Sequence, residues 1–376
     1  MDRYLKKVIH RDLQDKMVFL SGPRQSGKTT LAQTLIQSKS AYFNYDVPSD
    51  RKKIRLRDLD ESQPRIVLDE LHKMPKWKSY LKGLYDERKG NQSYLVTGSA
   101  RLETFQRQGD ALTGRYYAYH LHPICPAEAS AWKGAGSHAE VLNHLLKTGG
   151  FPEAYFHPKN ADRLREGRFE AVVREDLRDL SRVLAIRQFE VLIEILRDRG
   201  AGQISYSGLA EDLSVSVPTV KQWLAWLERL YVIFMVYPWS AATSRSLRKE
   251  PKFYFYDCAA NINPGLRLEN AVACALVKHI DFLKDTTGRR LELRYFRDRE
   301  GHEVDFVVLE NRKPLQLIEV KEADDEVSRD LRYLHQRHAS ANAIQLVRQR
   351  SASETLHSCR VVPAGEWLAK ELLRED

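Results

Sequence analysis

The sequence predicts an α/β protein in three parts: a parallel sheet, then a helical unit, then a second and smaller α/β domain. Three observations lead there. Over about the first 120 residues, short apolar runs alternate with amphipathic stretches, the pattern of strands and helices taken in turn. Residues 189–237 read as a compact helical unit that closes on a strand-like run, Tyr231–Tyr237. The remainder returns to strand, helix and paired strands.

Size and charge bound what such a chain can be. It has 376 residues, 43% hydrophobic and 30% charged, which suits two or three domains. Mean hydropathy is -0.50, and no apolar run approaches the ~20 residues of a membrane span. A membrane partner is therefore not expected. The start, Met1 to Lys7, lacks the apolar core of a secretory signal. Cys125, Cys258, Cys274 and Cys359 are scattered with no C-x-x-C pair, which argues against a disulfide framework or a cysteine zinc site. A reducing cytoplasm is the expected compartment. Net charge is +9, and residues 1–150 carry the excess, with 25 basic against 16 acidic residues. That suits a phosphate-bearing partner. A solvated basic surface accounts for it equally well.

In chain order, strands are expected at Met17–Ser21, Tyr42–Asn44, Arg65–Leu68, Ser93–Thr97 and Tyr116–His120, with helices between them at Thr29–Gln37 and Lys78–Arg88. Residues 139–188 read as helices broken at Gly149-Gly150-Phe151-Pro152. The expected boundaries are 1–138, 139–250 and 251–376.

Gly22, Pro23, Arg24, Gln25, Ser26, Gly27, Lys28 and Thr29 fit G-x-x-x-x-G-K-[ST]. The run follows the apolar strand Val18-Phe19-Leu20 and opens a helix at Thr30. Its glycines let backbone N–H groups face phosphates. Lys28 is expected to meet the β- and γ-phosphates of ATP, and the Thr29 hydroxyl to bind Mg²⁺. Ile66-Val67-Leu68-Asp69-Glu70 is the companion motif, an apolar strand ending in two acids. Asp69 is expected to hold Mg²⁺, and Glu70 to polarise the attacking water. Tyr94-Leu95-Val96-Thr97-Gly98-Ser99 is a third apolar strand, ending in polar residues. Thr97 or Ser99 is placed to sense the γ-phosphate, with Ser99 preferred; an ordinary strand-end turn is the competing reading. Arg115 is a candidate transition-state cation supplied to a neighbouring subunit in a homo-oligomer, or else a structural ion-pair partner. Arg51, Lys52, Lys53, Arg55 and Arg57 form the densest basic patch, for nucleic acid or as a solvated helix face.

The order GPRQSGKTT, IVLDELHKMPKW, LVTGSA, TGR resembles the bacterial and archaeal AAA-type ATPases that carry a C-terminal DUF4143 region. Later segments agree: Leu209-Ala210 through Leu230 resembles that family's winged helix, and Phe253–Asp257, Leu268–Val272, Glu303–Phe306 and Ile318–Lys321 resemble its C-terminal part. Cys258-Ala259-Ala260 replaces the family's usual Thr-Gly-Leu. The resemblance implies a P-loop ATPase joined to a nuclease-like domain.

In the middle part, Val220, Leu224, Leu227 and Leu230 share one apolar helix face. Ser244–Lys252 is expected as a wing with Arg245, Arg248, Lys249 and Lys252. Such a unit reads DNA or packs against protein; Trp223 and Trp226 belong to the core or an interface. In the last part, a hairpin centred on Arg312 sets Asp305 opposite Glu319 and Glu303 opposite Lys321, all on one sheet face. Opposed carboxylates repel unless a cation lies between them. Glu269 adds an acid to the helix stripe of Val272, Leu276 and Ile280. Glu269, Asp305 and Glu319-x-Lys321 resemble the restriction-endonuclease-like metal site, with Lys321 assisting cleavage of nucleic acid, DNA more than RNA. A surface ion pair of Lys321 with Glu303 is the competing reading. A switch that engages a protein partner without cleavage is the alternative function.

Overall fold

A computed structural model of the chain describes residues 2–88, 91–98, 112–172, 186–239, 250–260, 263–323 and 326–374. It divides into two units, residues 1–122 and 123–376.

In the first unit, α1 (Lys6–Asp12) precedes β1 (Met17–Ser21), α2 (Lys28–Gln33), β2 (Tyr42–Asn44), α3 (Pro48–Leu56), β3 (Arg65–Asp69), α4 (Trp77–Arg88), β4 (Ser93–Thr97) and β5 (Tyr116–His120). The five strands form one sheet in the order β2-β3-β4-β1-β5, with every neighbouring pair parallel. Every residue of β1 is buried, as a strand covered on both faces requires. Phe19, Phe43, Ile54, Leu68, Leu81 and Val96 share the core of this unit. The order places β4 between β1 and β3, so the phosphate loop and the acid pair leave the same carboxyl edge one strand apart. In open α/β sheets that edge is where ligands bind. Helix α2 stops short of the expected Gln37, where the Thr34 hydroxyl turns back onto the Leu31 carbonyl at 2.7 Å and competes with the helical ladder.

The second unit begins with α5 (Pro126–Ser130), α6 (His138–Thr148), α7 (Pro152–Phe156) and α8 (Ala161–Ala171). Helix α6 opens with a capping box, Ser137 and Glu140 bonding each other's backbone N–H. It ends at Gly149 with φ of 78°, where a Cβ would fall 2.0 Å from the Asp257 carboxylate. Asp257 is buried between Arg165, whose Nε donates at 3.0 Å, and Arg168. The expected break at residues 149–152 thus coincides with a buried ion cluster.

Next come α9 (Ile186–Arg199), β6 (Gly202–Gln203), α10 (Tyr206–Asp212), α11 (Val217–Arg229) and β7 (Ile233–Pro238). Val220, Leu224, Leu227 and Leu230 are buried on one face, and Trp223 packs edge-on against Phe189 at 5.9 Å. Lys221 lies over the Tyr206 ring at 5.0 Å. Residues 240–249, most of the expected wing, lie outside the described residues. Its last member is not a wing residue: Lys252 opens strand β8 (Lys252–Phe255) and is buried.

The chain ends with α12 (Pro264–Thr287), β9 (Leu291–Arg297), β10 (Glu303–Glu310), β11 (Lys313–Lys321), α13 (Arg329–Arg337), β12 (Asn342–Val347), β13 (Glu354–Leu356), β14 (Cys359–Pro363) and α14 (Ala364–Lys370). Strands β6 to β14 form one nine-stranded mixed sheet, ordered β13-β14-β12-β11-β10-β9-β7-β8-β6. The boundary expected at 250/251 runs through this sheet: β8 pairs antiparallel with β7, and β7 pairs parallel with β9.

The β10–β11 hairpin turns at Asn311-Arg312, both left-handed with φ of 49° and 68°. That is a two-residue turn and not one centred on Arg312. Leu309 then faces Pro314, and a register shift before Val308 leaves Leu315 as the extra residue. Beyond it Val308 faces Gln316 and Phe306 faces Ile318. The bulge adds the one residue that the tighter turn removes, so the expected register returns before the acids are reached.

Candidate functional sites

The loop after β1 is built on left-handed backbone. Gln25 has φ of 62° and Gly27 of 92°, and a Cβ on Gly22 would meet the Leu121 carbonyl oxygen at 2.5 Å. The Lys28 ammonium, on the first residue of α2, curls back to the carbonyls of Gly22 and Pro23 at 2.9 and 2.7 Å. Gln25 is exposed and Arg24 half-buried, while Pro23 and Ser26 are buried, and Thr29 and Thr30 are exposed on α2. Arg3 braces the loop from outside, donating to the Ser26 carbonyl at 2.5 Å and the His122 carbonyl at 2.6 Å.

Asp69, at the end of β3, ties together α2, β2 and β4. Its Oδ2 accepts from Thr29 at 2.8 Å and from the Tyr42 hydroxyl at 2.6 Å, and its Oδ1 accepts from Thr97. Burial and the Asp69 carboxylate push the Tyr42 phenol up, so it stays a donor. Glu70 follows in a left-handed conformation, φ 56°, with its backbone N–H on the Thr97 carbonyl at 3.0 Å. Burial raises its pKa above the ordinary 4.5; the nearby Lys73 ammonium, 3.3 Å away, pulls it down and the Asp69 charge pushes it up.

The residues fit a magnesium nucleotide. Lys28, Thr29, Asp69 and Glu70 converge at one edge, and the Ser26 hydroxyl is buried in the loop without a hydrogen-bond partner, a donor that suits a phosphate oxygen. Ser99 lies outside the described residues. Arg115 pairs with Asp86 at 3.1 Å. Much of the basic patch on α3 is engaged locally: Arg51 donates to the Tyr45 carbonyl at 2.9 Å, Arg55 to the Tyr45 hydroxyl at 3.0 Å, and Arg57 pairs with Glu87 at 2.7 Å. Lys52 and Lys53 are exposed.

The second site lies in the mixed sheet. Glu269 on α12, Glu303 and Asp305 on β10 and Glu319 on β11 gather around Lys252. Its ammonium lies 2.7 Å from Glu303, 3.3 Å from Glu269 and 3.4 Å from Asp305. The Tyr254 hydroxyl donates to Glu269 at 2.6 Å, and the Val320 N–H to Asp305 at 3.0 Å. Lys321 pairs with Glu319 at 2.9 Å and not with Glu303. The Asp305 carboxyl is pushed well above the usual carboxylate range, first by burial and then by the charges of Glu269 and Glu319. Glu319 is raised by burial against the pull of Lys321.

Lys252 is the residue that sequence reasoning misplaced. A lysine opening an apolar strand, in step with Tyr254 two residues on, was the available signal. Arg3 and Tyr42 were also missed, and no motif marks them. Among the described residues, the group of three whose ligand atoms lie within 4.8 Å of one another is Asp298, Glu300 and His302; Glu269, Asp305 and Glu319 do not close that far as a trio.

A parallel sheet with a glycine loop after its first strand, and an acid pair at the same edge, defines a P-loop nucleotide-binding unit. A family model that matches this unit agrees. Residues 14–130 match the AAA domain family, residues 139–261 a domain of unknown function, DUF8612, and residues 264–367 a domain of unknown function, DUF4143. The chain is similar to the uncharacterised proteins Rv2008c of Mycobacterium tuberculosis and Mb2031c of Mycobacterium bovis, at 25% identity over 259 residues. The match covers 67% of this chain but 56% of those relatives. Among solved structures it is similar to the Aeropyrum pernix ORC1 protein in complex with DNA, at 15% identity and a TM-score of 0.34, covering 72% of this chain and 90% of that one. A STAND protein with a tetratricopeptide repeat sensor, PH0952 of Pyrococcus horikoshii, gives 15% and 0.29, with coverages of 76% and 47%. The chain carries an AAA-type P-loop ATPase domain and, after the helical middle, a C-terminal DUF4143 domain.

Proposed function

We propose that this protein binds and hydrolyses Mg–ATP, and that its nucleotide cycle controls a metal-dependent nuclease-like site acting on nucleic acid. The observation that carries the first part is the contact of Thr29 with Asp69 at 2.8 Å, which ties the phosphate loop to the acid strand. Two oxygens at that spacing suit one Mg²⁺, which when bound would neutralise phosphate charge. Lys28 is held by carbonyls that a phosphate can replace. Glu70, with Lys73 beside it, is placed to take a proton from water. Arg115 would act on a neighbouring subunit only after leaving Asp86.

Equilibrium ATP binding tests this reading. Asp69→Asn should weaken binding in Mg²⁺ and leave it unchanged in EDTA. Equal loss in both would remove the metal role of Asp69.

For the second part, Glu269, Asp305 and Glu319 would hold a divalent ion, and Lys321 would stabilise charge developing on a phosphodiester. The Lys252 ammonium favours a second reading, because it already balances part of this acid cluster. In that reading the C-terminal domain engages a protein partner and cuts nothing. Incubation with single- and double-stranded DNA and RNA, with Mg²⁺ or Mn²⁺ and with or without ATP, separates them. Cleavage lost in Asp305→Ala supports the nuclease. No cleavage, with ATP turnover indifferent to nucleic acid, supports the switch.

A further inference from the structure

We propose that the Lys252 ammonium is a displaceable counter-ion: it holds the place of a divalent cation among Glu269, Asp305 and Glu319, and withdraws to Glu303 when that cation binds. The inference rests on the metal reading of this site and goes beyond it, because it makes the first residue of β8 the gate of the C-terminal acids.

Three observations carry it. The first is the asymmetry of the ammonium's contacts. Charge-assisted N–H···O bonds settle near ~2.7–2.9 Å. Lys252 makes one such bond, to Glu303 at 2.7 Å, while Glu269 and Asp305 stand off at 3.3 and 3.4 Å. Its strong bond is thus to the acid that the proposed cation does not use.

The second is what remains unmet without a cation. Glu319 is 7% exposed, and its Oε2 is buried with no hydrogen-bond partner, the other oxygen being taken by Lys321. Asp305 receives one backbone N–H, from Val320, and otherwise the distant ammonium. A carboxylate oxygen so buried is costly unless a cation or proton meets it.

The third is the outer position of Glu303. Its side chain is 32% exposed, against 8% for Lys252, and Arg297 lies 3.6 Å from it. An ammonium shifting toward Glu303 moves toward water, keeps its best bond, and leaves Glu269 and Asp305 free to ligate. A divalent ion brings two charges where the ammonium brings one, and hard oxygen ligands suit it.

Mn²⁺ titration of the full chain without nucleotide tests this, with Asp305→Asn as the control that isolates the site. Lys252→Met should bind Mn²⁺ at least about tenfold more tightly than the wild type, since a like charge a few Å away is gone. Lys252→Arg, which keeps the charge, should not. In the wild-type protein, saturating Mn²⁺ should raise acylation of Lys252 several-fold by exposing its amine, while Asp305→Asn shows no such rise. The labelling needs no Lys252 variant, so it decides the matter even if Lys252→Met does not fold. Mn²⁺ binding that depends on Asp305, with unchanged affinity in Lys252→Met or flat labelling of Lys252, overturns the counter-ion and leaves the metal site. No Asp305-dependent binding in any form overturns both.

Discussion

Glu70 combines three features that would set the pH response of hydrolysis in the proposed role of base: burial, a left-handed backbone and Lys73 at 3.3 Å. A general base works only when ionised. Because burial raises this carboxyl above 4.5, the acid limb of kcat should have its midpoint above the ordinary glutamate value. Lys73 favours the charged form, so Lys73→Met should move that limb further up in pH. A pH profile of kcat for both proteins checks this; a limb that stays put or moves down would separate Glu70 from the proton transfer. Lys28, Thr29, Asp69 and Glu70 were legible in the sequence because their spacing is fixed by one loop and one strand end. Tyr42, Arg3 and Lys252 were not, because each reaches its site through the packing of separate elements, and no local motif records that approach.

Two elements hold the second unit in shape at identifiable points. Asp257 is buried against Arg165 and Arg168 where α6 ends. Asp257→Ala leaves two guanidinium groups without their shared acid, and removing one partner of a buried pair costs about 3–5 kcal/mol. Chemical denaturation followed by a probe in residues 123–376 should show that loss; a change below about 1 kcal/mol would mean that water replaces the carboxylate. The β10–β11 turn predicts the opposite sign. Arg312 is left-handed at φ 68°, a conformation that costs a side-chain-bearing residue about 1–2 kcal/mol. Arg312→Gly should therefore raise stability by about 1 kcal/mol in the same denaturation experiment. The hairpin also marks how far the sequence could be read. Its strands were legible from period-two alternation, and Val308 to Phe306 face Gln316 to Ile318 in the expected register. The turn and bulge were not, because a two-residue turn with one bulge and a wider turn with none bring the same residues face to face.

At the scale of the whole chain, the basic excess of residues 1–150 sits on the half that carries the phosphate loop. The parallel sheet was legible there from alternating apolar and amphipathic runs. The continuity of the mixed sheet was not. Residues 233–255 read as the end of one domain and the start of another, yet β7 and β8 extend the sheet of β9 to β14. Strand pairing between residues as distant as Tyr237 and Arg294 leaves no local trace in composition. The loop at residues 22–29 and the acids at 69–70 are proposed to form one hydrolytic site. Phosphate release from Mg–ATP by the full chain tests it most directly, with Lys28→Ala and Glu70→Gln measured beside it and ATP binding followed in each. The wild-type protein should turn ATP over, Lys28→Ala should not, and Glu70→Gln should bind ATP without turnover; wild-type turnover in either variant would rule out a single hydrolytic site at these residues.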